Sequence, residues 1–228
     1  MNHSTADLID IVYHYYPQGT MPDDLYKETV EYRRLVAARR QAGAEREPWS
    51  ALLRRVKEQF PENSVHDGSL HLPTGGCDAC YSGRIILPTI PGEHHHTVEF
   101  LVSFVVPYYI VYCTRCVDDI EATKAYRASQ DRTVGVFVDD TCFILPAEVV
   151  KPEFRQKDER VLRRTETRFD MTPEEQPYAA WIAQNIESTF GYAPMPPEIG
   201  NVIVPDVETN LRPPGEARLY DCLFLDSW

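Results

Sequence analysis

The sequence predicts an α+β fold, in which a mostly antiparallel β-sheet is packed by an N-terminal helical hairpin and a C-terminal helix. Apolar residues recur at helical spacing before residue 60 and again over residues 173–190, whereas much of the segment between them alternates apolar and polar residues as strands do. Of the 228 residues, 43% are hydrophobic and 25% are charged, which is typical of a globular protein. Because we see no repeat and no low-complexity linker, we expect a single domain over residues 1–228.

The helical hairpin is expected over about residues 20–60. Thr20 can cap the first helix, and Gly43 is a natural stop. The second helix should begin near Glu47–Pro48, carry a clean apolar stripe, and end at Pro61. The short link between the two helices predicts that they lie antiparallel.

The sheet is expected over about residues 64–169. Its first hairpin is predicted from Leu70–Leu72 to Tyr81–Leu87, on either side of a glycine-containing loop. Val98–Val106 alternates with apolar side chains on both faces, which predicts a central strand that is covered on both sides. Pro107 should mark a bend, because proline cannot donate to a strand ladder.

A second hairpin is predicted farther along the chain, around a turn at Asp139–Asp140. Its strands are Val134–Val138 and Cys142–Leu145, which are apolar and flank this acidic pair. Residues 161–169 are more polar, which predicts a strand at the edge of the sheet.

The C-terminal helix is predicted over residues 173–190. Thr172 and Glu175 have the spacing of a capping box, and Gly191 can close the helix. The tail over residues 191–228 is rich in proline and is expected to contain short strands.

The charge is unevenly distributed along the chain. The formal net charge is −12, and residues 170–228 contribute −8 of it, with 10 acidic and 2 basic side chains. Residues 1–60 balance, with 9 of each sign. An excess of this sign argues against a nucleic-acid partner and against docking on an anionic membrane. It is compatible with a basic protein partner, and equally with a surface whose charge serves solubility.

The start of the sequence lacks the pattern of a signal peptide. Asp7 and Asp10 stand where a basic start and an apolar stretch would be needed. The longest apolar run, Phe100–Cys113, is shorter than the roughly 20 residues that a membrane helix needs. We therefore expect a cytoplasmic protein.

Two CxxC motifs form the sharpest local pattern, at Cys77 with Cys80 and at Cys113 with Cys116. Two such pairs can supply four thiolates to zinc. The 32 residues between the pairs exceed the roughly 15–20 of common zinc modules. We therefore favour buried thiols and expect no cofactor, with a zinc-binding protein or metal-dependent enzyme as the alternative.

Other residues that could carry chemistry have a plainer interpretation. His94–His96 follows a proline and a glycine, which favours a surface turn, although His94 and His96 could share a metal from one face of a strand. The pairs Asp118–Asp119 and Asp139–Asp140 could bind Mg²⁺ or act as acid and base, but adjacent carboxylates are more often turn formers. Because nucleophile-elbow, phosphate-loop and dinucleotide motifs are all missing from the sequence, we do not expect an enzyme.

Several short motifs spread over most of the chain carry a resemblance to a known family. They are Tyr15-Tyr16-Pro17, Tyr26, Glu31-Tyr32-Arg33-Arg34-Leu35, Trp49, Phe60-Pro61, Leu70-His71-Leu72-Pro73-Thr74-Gly75-Gly76, Phe190-Gly191-Tyr192, Asn201-Val202-Ile203-Val204-Pro205-Asp206-Val207 and Leu219-Tyr220-Asp221-Cys222-Leu223-Phe224. With these motifs the chain resembles immunity proteins of bacterial polymorphic-toxin systems. The resemblance is to members that are paired with restriction-endonuclease-like nuclease toxins, including those delivered by type VI secretion.

The resemblance implies a non-catalytic protein that binds a cognate toxin and blocks it, as a device of interbacterial competition. A nuclease must present a basic surface to DNA, so an acidic inhibitor could cover that surface and associate quickly. The oligomeric state stays open. The candidate partner-binding residues are acidic and lie in predicted turns or loops, where partners are usually met: Asp118, Asp119, Asp139, Asp140, Asp206 and Glu208.

Overall fold

The computed structural model of the protein describes residues 3–20, 23–71, 79–124, 133–138, 141–146, 161–209 and 212–224. The contacts divide the chain into two compact units. Unit 1 comprises Met1–Pro88, Thr97–Thr114 and Thr167–Trp228, and unit 2 comprises Thr89–His96 and Arg115–Glu166. The predicted α+β class is confirmed, and the single domain stays a prediction.

The described residues contain eight helical segments and eight strands. The helices are α1 (Thr5–Tyr15), α2 (Asp23–Glu28), α3 (Val30–Ala44), α4 (Glu47–Gln59), α5 (residues 120–124), α6 (Gln176–Phe190), α7 (Pro197–Gly200) and α8 (Leu219–Leu223). The strands are β1 (Val65–Asp67), β2 (Cys80–Ile86), β3 (Glu93–Ser103), β4 (Tyr108–Asp118), β5 (Thr133–Val138), β6 (Thr141–Pro146), β7 (Arg163–Arg168) and β8 (Ala193–Pro194). None of the helices in the described part of the chain has the length and apolarity that a membrane span requires.

The main sheet has the order β1-β2-β3-β4-β7, and β8 pairs in parallel with the start of β4. The predicted central position of β3 and the edge position of β7 are therefore confirmed. β2 is antiparallel to both β1 and β3, with Gly83 opposite Phe100. A side chain at Gly83 would meet the Phe100 ring at 2.5 Å, so this glycine allows the ring to cross the strand.

The N-terminal helices of unit 1 differ from the predicted hairpin at one point. The first predicted helix is split into α2 and α3, because the Thr29 hydroxyl accepts a hydrogen bond from Tyr32 N (3.2 Å) and caps α3. Gly43 lies inside α3 and does not end it. α1 is not among the predicted helices, although the capping box of Ser4 and Asp7 indicates a helix start. The second helix of the hairpin is confirmed as α4.

α4 buries its apolar stripe completely, with Trp49, Leu52 and Val56 at zero exposure. The Trp49 ring stacks on Tyr81 of β2 with ring centroids 5.3 Å apart. An aromatic pair of this kind stabilises a core by about 0.5–1.5 kcal/mol beyond the area it buries. α4 thereby fixes the packed face of the sheet in unit 1.

The predicted first hairpin is wrong in one of its strands. Gly68–His71 forms a 3-10 turn, and the strand that pairs with β2 is the earlier β1. Asp67 holds this turn, because its Oδ1 accepts hydrogen bonds from Ser69 N (2.9 Å) and Trp49 Nε1 (3.2 Å). Leu72 lies outside the described residues.

α6 starts at Gln176, three residues later than predicted, after a turn over residues 173–175. The predicted capping box is half formed: Glu175 Oε2 accepts from Thr172 N (2.8 Å), but the Thr172 hydroxyl makes no hydrogen bond to a described residue. Gly191 closes the helix at φ 70°, a left-handed conformation that favours glycine, as predicted. The Leu219–Leu223 run is helical and not a strand.

Within unit 2, β5 and β6 form an antiparallel hairpin in which Val138 pairs with Thr141, as the sequence predicts. The predicted turn residues Asp139 and Asp140 lie outside the described residues. Backbone bonds also join Asp118 N to Gly92 O (3.2 Å) and Asp119 N to Leu162 O (2.8 Å).

Candidate functional site

The described acidic residues of unit 1 after residue 167 fall into two groups, and those of the first group are buried and paired with arginine. The Asp221 side chain has zero exposure. It accepts from Arg218 through the backbone N (2.8 Å), Nε (3.1 Å) and Nη2 (3.1 Å), and Arg212 Nε lies 3.9 Å away. The two basic residues of the 170–228 segment are thus both directed at a carboxylate that solvent does not reach.

Glu175 is the second buried carboxylate, also with zero exposure. Its Oε1 accepts from Arg168 Nη2 (2.9 Å) and from the Cys113 thiol (2.9 Å). Burial, and then the bond to Glu175, raise the pKa of Cys113 to about 12. In the absence of a metal, a pKa raised in this way keeps the Cys113 thiol protonated at neutral pH.

The second group consists of carboxylates that are exposed or half-buried and make no ion pair with any described residue. We call them the open carboxylates. They are Asp170, Glu174, Glu187, Glu198, Asp206, Glu208 and Glu216. Since the basic residues nearby in sequence are engaged by Glu175 and Asp221, the negative excess of this segment faces solvent.

A groove of 530 Å³ lies in unit 1, beside α6. Its wall is made by β4, by residues 169–171, by one side of α6, and by residues 194–197. The lining residues are Tyr109, Ile110, Val111, Phe169, Asp170, Met171, Gln176, Ala179, Ala180, Ala183, Pro194, Met195 and Pro197. Among these described lining residues Asp170 is the one acidic side chain, and none is basic.

Tyr109 connects the groove to a second open carboxylate. Its hydroxyl donates to Glu187 Oε1 at 2.7 Å. Burial, the bond to Glu187 and the charge of Glu187 all raise the pKa of Tyr109, so the phenol stays neutral. Glu187 is exposed, so its carboxylate is fixed in place while it still faces solvent.

The acidic residues singled out from the sequence fall in different places. Asp206 and Glu208 belong to unit 1; Asp206 has φ 53° and is exposed. Asp118 and Asp119 belong to unit 2. The Asp118 carboxylate contacts the His94 ring, and Asp119 Oδ1 accepts from the Ala122 backbone at the start of α5 (2.8 Å). Their role in binding a partner stays a prediction.

The histidine run is not the predicted surface turn, because it belongs to strand β3. His94 is directed at Asp118, and His96 Nδ1 lies 4.0 Å from Glu93 within unit 2. Glu93 is paired with Arg115 at 3.1 Å. In unit 2 the two histidines therefore lie against acidic side chains, His94 against Asp118 and His96 near Glu93.

The cysteines of the zinc alternative are only partly described. Cys77 lies outside the described residues. Cys80 is buried on β2, Cys113 is buried on β4, and Cys116 is half-buried; all three are free thiols. Neither Cys80 nor Cys116 belongs to a cluster of three or more potential metal ligands among the described residues. The zinc alternative therefore stays a prediction.

No sequence pattern singled out Asp170, Glu187 or the groove. Both residues were part of the net charge of −8, and Glu187 lies on the polar side of a helix that was predicted. What the sequence could not show is that Arg212 and Arg218 are held at a buried carboxylate. Charge counts treat a buried pair and a solvent-facing carboxylate alike.

Comparisons with known proteins do not extend this description. Family models, curated proteins and solved structures all give no match to the chain.

Proposed function

We propose that this protein is an immunity protein, which binds a secreted antibacterial toxin and inhibits it by covering its active or substrate-binding surface. We further propose that the toxin is a nuclease with a basic surface. The observation that carries the proposal is the separation of charge in the part of unit 1 after residue 167, where arginines are held at buried carboxylates and the open carboxylates are left without ion pairs. The motif resemblance described above supports the same conclusion.

The charge separation supports a binding role because it leaves a negative surface. An arginine that is paired with a buried carboxylate cannot neutralise a carboxylate in solvent. Each open carboxylate therefore adds to the negative field at the surface of unit 1, and electrostatic steering can raise association rates by roughly 10–1,000-fold. A nuclease domain presents the opposite sign, since it must attract phosphate.

Co-expression tests the proposal most directly. We expect the toxin encoded beside this protein to kill a host cell when it is expressed alone and to be neutralised when the two are expressed together. The purified pair should form a stable complex, measured by gel filtration and calorimetry. A toxin that is harmless alone, or a pair that fails to associate, would contradict the proposal.

Matched charge reversals test whether the open carboxylates face the toxin. The triple variant Glu198→Lys, Glu208→Lys and Glu216→Lys should slow association at least about 10-fold at low salt. The control Glu28→Lys, Glu47→Lys and Glu58→Lys changes the net charge equally on exposed residues of α2 and α4, and should slow it by no more than about 3-fold. Equal effects would show that only net charge matters.

Metal analysis separates this proposal from the zinc alternative. The immunity proposal expects no metal at stoichiometric level in the purified protein, whereas the alternative expects one zinc that is lost in Cys77→Ser and Cys116→Ser. Neither substitution should affect toxin neutralisation if the proposal is right.

A further inference from the structure

We infer that the groove beside α6 takes a basic side chain of the toxin together with an apolar neighbour, so that the aliphatic stem lies along α6 and the cationic group meets Asp170. This inference rests on the proposed function and names the part of the partner that the site recognises. It commits to a protein segment of the toxin as the occupant. A small molecule or a second copy of this chain is an outcome that the experiments below can reveal.

The floor of the groove suits an aliphatic stem. Ala179, Ala180 and Ala183 make the α6 side, and Met171 and Met195 also line the groove. Short side chains leave room for an incoming residue, and methionines adapt to its shape. Lysine and arginine bury such a stem readily while their charged end stays in a polar environment.

The size of the groove indicates more than one side chain. Its volume of 530 Å³ lies inside the range of about 300–1,000 Å³ that is usual for ligand sites. Phe169 is 37% exposed and Ala180 and Pro194 are also exposed, so the groove is open along one side and a continuous peptide segment can enter it.

Charge complementarity selects a cation for the polar end of this segment. Asp170 lines the groove, and it makes no ion pair with a described residue. Glu187 is fixed beside the groove by the Tyr109 hydroxyl at 2.7 Å. Because no described lining residue is basic, an anionic segment would meet repulsion with no compensating partner.

The first experiment uses short peptides as probes and does not need the toxin. The peptide acetyl-Leu-Arg-Leu-amide should bind with a Kd of about 1–10 mM, as expected of a fragment. Amide NMR shifts should concentrate at Ala180, Ala183 and Asp170. Acetyl-Leu-Gln-Leu-amide should bind at least about 5-fold more weakly, and Asp170→Asn should abolish the difference. Equal binding of the two peptides, or shifts located elsewhere, would overturn the inference.

The second experiment uses matched variants against the toxin. Ala180→Trp should fill the groove and weaken toxin binding at least about 10-fold through faster dissociation. Ser188→Trp places the same side chain on an exposed position of α6, two turns beyond Ala180, that does not line the groove, and should change binding less than about 2-fold. Thermal melts confirm that both variants fold. Equal effects would overturn the inference, as would a groove variant that alters self-association in sedimentation while toxin binding stays unchanged.

The two proposals fail in distinguishable ways. If the toxin is neutralised but Ala180→Trp binds as tightly as the wild type, the groove inference is wrong and the proposed function stands. If the arginine peptide binds the groove but the neighbouring toxin is not neutralised, the groove recognises a basic segment and the proposed function is wrong.

Discussion

The N-terminal helices α1–α4 and the C-terminal segment after residue 167 use charged side chains in opposite ways. Exposed pairs such as Arg54 with Glu47 (3.4 Å) lie on the N-terminal helices, and residues 1–60 balance in charge. In the C-terminal segment the arginines pair with buried carboxylates, and the other described carboxylates are exposed or half-buried and make no ion pair. Charged side chains therefore compensate one another on the surface of the N-terminal helices. In the C-terminal segment they leave a negative electrostatic field that a partner can meet.

The largest expected effect comes from breaking a buried pair. Glu175→Ala should lower the free energy of unfolding by about 3 kcal/mol, because it leaves Arg168, Thr172 N and the Cys113 thiol without their acceptor. The value is at the low end for buried pairs, since the Arg168 side chain is 35% exposed and solvent can compensate it in part. Urea unfolding measures the change.

The control for this prediction is the neighbouring open carboxylate Glu174. Glu174→Ala should change the free energy of unfolding by less than about 0.5 kcal/mol, as is usual for exposed positions. Similar losses in the two variants would show that the division between buried and open carboxylates is not real.

A smaller loss is expected at Asp67, a half-buried carboxylate that Trp49 of α4 contacts. Asp67 accepts from Trp49 Nε1 (3.2 Å) and Ser69 N (2.9 Å) and pairs with Arg46. Asp67→Ala should lower the free energy of unfolding by about 1–2 kcal/mol. The exposed Glu47→Ala should cost less than about 0.5 kcal/mol, although it also removes an ion pair. Chemical denaturation of both variants decides whether burial, rather than pairing, sets the value.

Glu99 on β3 is intermediate between the buried carboxylates and the open carboxylates. We expect its ionisation to make the free energy of unfolding depend on pH. Burial raises the pKa of Glu99, while the Thr97 hydroxyl (2.9 Å) and the charge of Arg84 oppose the shift. A folded pKa above the unfolded value means that the folded state binds more protons in that window. This carboxyl therefore lowers stability progressively as pH rises from about 4.5 through its folded pKa.

Glu99→Gln removes this titration and keeps an oxygen that can accept from Thr97. The variant should gain stability relative to the wild type as pH is raised from 4 to 7, measured by urea unfolding at each pH. Glu62→Gln is the control, because it removes an exposed carboxyl group without a burial cost. An advantage that shrinks toward pH 7 would contradict the assignment.

Local patterns predicted most of the fold, since α4, β3 and α6 each carry a strong apolar period. The errors have physical causes. Thr29 is compatible with a helix interior but caps α3, and the strand expected near Leu70 was displaced by the turn that Asp67 holds. Both outcomes depend on side-chain hydrogen bonds, which periodicity does not describe.

The candidate site was less predictable than the fold. The groove joins β4 to residues 169–171 and α6, which lie far from β4 in the sequence, so no local motif marks it. The net charge did indicate the C-terminal segment. Which carboxylates face solvent depended on the partners of Arg168, Arg212 and Arg218, and those partners are set by tertiary packing.

The smallest expected effects are changes of opposite sign in the free energy of unfolding. They test whether the N-terminal helices and the C-terminal segment compensate their surface charges differently. At low salt Glu216→Lys should raise the free energy of unfolding by about 0.3 kcal/mol, because it relieves repulsion among open carboxylates. Glu47→Lys should lower it by about the same amount, because it replaces the pair with Arg54 by a repulsion. Both changes should vanish near 1 M salt, where screening reduces the Debye length to about 3 Å. Unfolding at two salt concentrations measures them, and equal signs at low salt would mean that the two regions do not differ in how their surface charges are compensated.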